Sequence, residues 1–273
     1  MQEHNPNVSG QNLGRTLSNP LLERARFPGE TFALPSGGML YKKGELSPDV
    51  VNGEVMVYPM VTLDEVAMKT PDKLLNGTAI IEVFRRCIPQ VLQPLELFAK
   101  DVDFLMVCLR KLSYGDEMQI AVKHNCEEAK EHSYMVDINK MVTNATRLNA
   151  QTIEELHTMT LPNGQVVRMH PPKYKRILSF YQAMNKSVGT PEQAADEILQ
   201  TMVGLISSVD GIDNEQQIEE WIRSIPAGYV REITEMIPKI TEWGVKFKTI
   251  IICKDCGTQF EQDVPMNPID FFS

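Results

Sequence analysis

Near its C-terminus the chain reads IICKDCGTQFEQDVPMNPIDFF over residues 251–272, and this stretch constrains the fold more than any other. Cys253 and Cys256 bracket two residues, and Gly257 follows. A C-x-x-C-G turn points two thiolates at one ion, and the glycine lets the backbone reverse. Ile250, Ile251 and Ile252 precede the turn, and Phe260 and Val264 follow it. These are strand-forming residues, so the stretch reads as a hairpin arm of a zinc ribbon. A redox-active dithiol is the competing reading of C-x-x-C. That motif usually opens a helix after a strand, whereas an extended pattern and Pro265 follow here.

A ribbon needs a second pair of ligands. The stretch KHNCEEAKEHS at 123–133 offers His124, Cys126 and His132. It lies between an alternating strand, Met118 to Val122, and a second one, Tyr134 to Ile138. Lys123 and Ala129 occupy the positions at which a second cysteine would complete a knuckle with Cys126. His124, or alternatively His132, would take the fourth place. The predicted structural zinc set is therefore Cys253, Cys256, Cys126 and His124, with His132 as the alternative.

The chain has 273 residues, 42% of them apolar, enough for one large domain or two smaller ones. Five cysteines are too few and too odd a number for a disulfide framework, and they fit reduced thiols with one metal site. No run of eighteen apolar residues occurs, so no membrane-spanning helix is expected. The N-terminus lacks a basic start and an apolar stretch, so no signal peptide is expected either. Net charge is −9, which does not favour a nucleic-acid surface. No Ser/His/Asp order, phosphate-binding loop, dinucleotide fingerprint or H-E-x-x-H is present, so no enzymatic activity and no small-molecule substrate are expected. Asp101 reads as a helix cap rather than a catalytic acid.

In chain order, residues 1–30 read as a flexible arm with Leu17 and Leu21 as candidate partner contacts. Residues 31–172 read as an α+β region with hairpins. Strand Glu54 to Tyr58, a capping box Thr62-x-x-Glu65, a helix from Thr78 to Cys87 and the apolar helix 101–113 lead to the middle hairpin. A further hairpin turns at Pro162-Asn163-Gly164. Residues 173–245 read as helical, with one helix burying Ala194 to Ile206 and another kinked or split by Pro238. Residues 246–273 read as the closing zinc-ribbon-like strands, packing back on 118–138. The terminal Phe271 and Phe272 are predicted either to dock on the ribbon or to contact a partner. The fold class is α+β, with short strands and helices in the N-terminal half, a helical C-terminal region and the ribbon-like β element.

Several stretches, taken in order, resemble the T4-type phage baseplate hub and hub assembly protein family. They are LPSGGMLY from residue 34, VMVYPM before the T-x-x-E helix, GTAIIEVFRRCI, LRKLSYGDEM, the strand–loop–strand at 118–138, EEWIRSIPAGYVREI, and the ending from Ile252 to Phe272. The resemblance covers roughly residues 31–273. Many members carry a cysteine pair in the middle loop, where this chain has Cys126 alone. The resemblance implies a non-enzymatic hub component or assembly chaperone, acting on other baseplate hub proteins. It would be present in the host cytoplasm during assembly or retained in the tail of the virion. The alternative is a zinc-ribbon protein that binds nucleic acid or serves transcription.

Overall fold

A computed structural model describes residues 27–126, 130–186, 191–265 and 271–272. The fold is α+β: small antiparallel sheets set among helices. Strand β1 (Glu30–Ala33) pairs antiparallel with β2 (Glu54–Val57). The Asn52-Gly53 turn between them seats on Gly37 and Gly38. A Cβ on Gly53 would stand 2.5 Å from the Gly37 carbonyl carbon, so only glycine fits. Val55 and Val57 face inward and are fully buried.

Helix α1 (Thr62–Met68) starts one residue earlier than the capping box predicts. Val61 is its N-cap, and the Asp64 carboxylate, not Glu65, accepts the Val61 N–H at 2.9 Å. Asp64 is buried and also accepts from Arg86 Nε at 2.6 Å. Glu65 instead pairs with Lys69, one turn along. Helices α2 (Pro71–Leu75) and α3 (Thr78–Cys87) follow, and α3 buries Ile80, Val83, Phe84 and Cys87.

Helix α4 (Ala99–Tyr114) is apolar almost all round, with Val102 and every residue from Phe104 to Leu109 buried. That marks a central helix. It begins two residues before Asp101, with Phe98 as N-cap, so Asp101 is not the cap. Distant groups satisfy the start: Phe98 N donates to Tyr41 Oη at 2.9 Å and Ala99 N to Pro172 O at 2.8 Å. The Asp101 carboxylate is free to reach across the core, accepting from Ser36 N at 3.0 Å and Tyr41 Oη at 2.6 Å.

Strands β3 (Glu117–Lys123) and β4 (Glu131–Asp137) form the middle hairpin, with Met118, Ile120, Val122, Tyr134 and Val136 turned inward. Short helices α5 (Ile138–Thr143) and α6 (Ala150–Leu156) lead to β5 (Thr158–Thr160) and β6 (Val166–Met169), joined at the Asn163-Gly164 turn. Helices α7 (Tyr174–Lys186) and α8 (Pro191–Val203) come next. The helix predicted to reach Ile206 ends at Val203, and β7 (Ile206–Val209) joins β6 as a third strand. The predicted helical region therefore contains a strand. Helices α9 (Glu215–Ser224) and α10 (Ala227–Thr241) complete it. Pro238 neither ends nor splits α10. It lies in the last turn, where its missing N–H costs one backbone bond.

Among the described residues, strands β8 (Lys248–Ile252) and β9 (Gln259–Asp263) pair only with each other. One large core joins α1, α3, α4 and the first two hairpins to Val245, Ile251, Val264, Phe271 and Phe272. A second core lies among β5–β7 and α8–α10. Phe271 and Phe272, read from the sequence as docking or partner-contacting aromatics, are both fully buried in the large core. Phe272 lies 6.3 Å from the Tyr114 ring at the end of α4, where aromatic burial against the chain itself outweighs exposure at a terminus. Leu17 and Leu21 lie outside the described residues. No helix among the described residues is long and apolar enough to cross a membrane.

Candidate metal centre

The knuckle between β8 and β9 is set by its own backbone. Cys253 N donates to Thr258 O and Gly257 N to Cys253 O, each at 2.9 Å. Gly257 takes φ +69°, the left-handed conformation the reversal needs. Both thiols therefore face one side, Cys253 buried and Cys256 exposed.

The middle hairpin supplies the opposite side. His124 is the first residue past β3, and Cys126 follows in the loop, its N–H bonded to His124 O at 3.0 Å. The His124 ring stacks on Phe260 of β9, with centroids 4.3 Å apart and planes 18° from parallel. Cys126 Sγ lies 4.0 Å from Cys253 Sγ, and His124 Nδ1 lies 3.4 Å from Cys256 Sγ. Ligand atoms of His124, Cys126, Cys253 and Cys256 all fall within 4.8 Å of one another. Tetrahedral zinc, with Zn–S about 2.3 Å and Zn–N about 2.1 Å, spaces its ligands roughly 3.6–3.8 Å apart. The donor set and its spacing fit that ion.

The electrostatics agree. Hydrogen bonds from the Thr258 side chain and backbone, aided by Cys253 and His124, bring the Cys256 thiol down to about 6. It is thus largely thiolate near neutral pH, the form that binds metal. Cys87 and Cys108 behave oppositely. Both are buried, and burial pushes the Cys87 thiol up to about 12 and that of Cys108 well above its ordinary value.

His132, the alternative ligand, is not in the cluster. Its Nε2 pairs with Asp255 Oδ1 at 2.7 Å, and that bond holds the Asp255 carboxyl below its usual range. Lys254 beside it donates its N–H to Tyr134 Oη at 3.1 Å and its ammonium to Ser133 O at 2.6 Å. The two residues inside C-x-x-C thus clamp the knuckle onto β4. Sequence reasoning passed over this clamp and the Thr258 and Phe260 contacts, because each joins residues more than a hundred positions apart or concerns ligand orientation. The T-x-F that follows C-x-x-C-G was the available signal.

A family model described as T4 bacteriophage base plate protein matches residues 50–273. No curated protein and no solved structure matches the chain.

Proposed function

This chain belongs to the T4 bacteriophage base plate protein family, and we propose that it is a non-enzymatic component or assembly chaperone of the central hub of a contractile tail baseplate. It acts by protein–protein binding, in the host cytoplasm during assembly, on other hub proteins. The observation that carries this reading is the family match, which spans the second core, all of the first core's buried residues but Phe32 and Leu34, and the Cys/His cluster. Leu17 and Leu21 of the N-terminal segment are the partner contacts of this reading. Of the ribbon lysines, Lys248 is paired with Glu261 and Lys254 is spent on β4, which does not favour the nucleic-acid alternative.

The same proposal gives the cluster one structural zinc, held by Cys126, Cys253, Cys256 and His124. A four-ligand protein set leaves no open position for chemistry. The ion's work is to fasten β8–β9 to β3–β4, so its binding energy is folding energy. Elemental analysis of protein purified without chelators should find about one zinc per chain, and Cys253→Ser should abolish it. Sub-stoichiometric zinc that the substitution leaves unchanged sinks the metal reading. For the assembly reading, mass spectrometry of purified particles beside an infected-cell lysate is the test. A fixed low copy number in particles makes the chain a hub part. Presence in the lysate alone makes it a chaperone, and absence from both overturns the reading.

A further inference from the structure

Cys126 and Cys253 lie 127 positions apart in the chain, yet their sulfurs are 4.0 Å from each other. Each belongs to a different hairpin: Cys126 lies in the loop past β3, Cys253 directly after β8. A disulfide is about 2.0 Å long, so about 2 Å of approach separates this contact from a bond. Cys126 is the sulfur able to make that approach. It lies beyond the strand pairing that ends at Lys123 and Glu131. Cys253 and Cys256 instead sit in a turn fixed by its own bonds, from Cys253 N to Thr258 O and from Gly257 N to Cys253 O. Cys126 is half-buried and Cys253 is buried. A small oxidant therefore reaches Cys126, and the sulfur waiting beside it is that of Cys253. Cys87 and Cys108 are buried in the first core and lie outside the cluster.

We propose that a peroxide oxidises this pair to a Cys126–Cys253 disulfide, and that the bond takes over from the metal the fastening of β3–β4 to β8–β9. The Cys126 sulfur attacks one peroxide oxygen and the O–O bond breaks, leaving a sulfenic acid and hydroxide. The Cys253 sulfur then attacks the sulfenic sulfur, the S–O bond breaks, and a second hydroxide leaves. Two protons turn both hydroxides into water. Two electrons have passed from the two sulfurs to the peroxide. No electron passes to a bound zinc ion, which is left with His124 and Cys256 and is released.

The choice of pair decides the consequence. A bond between Cys253 and Cys256 would close the knuckle on itself and part the two hairpins once the metal left. The Cys126–Cys253 bond keeps them joined. It also constrains the unfolded chain over 127 positions, far more than a link inside the knuckle would. Thiols are kept reduced in a cytoplasm, and disulfides persist outside it. A chain assembled in the host and carried out in a particle thus exchanges a metal fastening for a covalent one. That exchange rests on the metal and assembly readings above, whereas the bond itself rests on neither.

The test treats the full-length protein, as purified, with hydrogen peroxide, blocks the remaining thiols with iodoacetamide, and maps the peptides without reduction. The expected product joins the Cys126 and Cys253 peptides, carries Cys256 alkylated, and is reversed by dithiothreitol. Cys256→Ser should still form the link, and Cys126→Ser should not. In the oxidised chain, amide exchange within 117–137 and 248–263 should stay slow after chelation, and reduction should then abolish that protection. A main product linking Cys253 to Cys256 overturns the proposal. So does oxidation to sulfinic or sulfonic acid without a link, loss of the link in Cys256→Ser, or exchange that reduction leaves unchanged. The wild-type map decides even if a variant does not fold. Zinc content and particle copy number are scored separately. A chain that forms the link but holds no zinc loses the metal reading alone, and one absent from particle and lysate loses the assembly reading alone.

Discussion

Asp101 brings a carboxylate into a fully buried position, and burial raises its proton affinity to about 6 despite the bonds from Ser36 and Tyr41. A folded-state value raised from 3.8 makes its contribution to stability greatest below about pH 4, and that contribution is lost as pH rises through about 6. The span corresponds to about 3 kcal/mol. Urea midpoints of Asp101→Asn should therefore lack the part of the wild-type decline that falls between about pH 4 and 6. Parallel wild-type and variant curves across that window would remove Asp101 as the cause. At the metal cluster, His124→Ala should lose zinc while His132→Ala keeps it and loosens only the Asp255 clamp. Metal content of the two variants checks this. The three clustered cysteines were legible from spacing and residue type. The choice between the two histidines was not, because it depends on which ring the stacked Phe260 and the pairing register turn toward Cys256.

Two-stranded hairpins are marginal alone, and β3–β4 and β8–β9 share no strand pairing among the described residues. Besides the apolar core they share, they are joined by the Cys/His cluster, the His124–Phe260 stack, the His132–Asp255 bond and the Lys254 clamp. Chelation should therefore raise amide exchange within 117–137 and 248–263 while leaving β5–β7 and α8–α10 protected, since these have their own core. Uniform exchange across both regions would mean the metal fastens nothing in particular. Strand β7 shows what element-level reading misses. Met202, Leu205 and Ile206 satisfy a helical period, so the sequence supports a longer α8. The strand pairing of Ile206–Val209 with β6 depends on a partner some forty residues away, which periodicity does not encode.

At the scale of the whole molecule, Val245, Ile251, Val264, Phe271 and Phe272 complete the core built by the first half of the chain. Phe272→Ala should lower stability by about 3–5 kcal/mol, as for a buried aromatic, measurable by chemical denaturation. A change within experimental error would return the terminal aromatics to the surface. The sequence by itself determined the α+β class, most helices, the middle hairpin, the hairpin turned at Asn163-Gly164, and the Cys253–Cys256 knuckle with Cys126 as its counterpart in the middle loop. These rest on local rules: period, caps, turn residues and ligand spacing. Only the tertiary structure decided that Phe271 and Phe272 point inward, that Asp101 links the core rather than capping α4, and that His124 completes the cluster. Each of these is a contact across a long stretch of chain. Local pattern shows which residues seek burial or a ligand, but the partner that satisfies them is set by how distant faces come together.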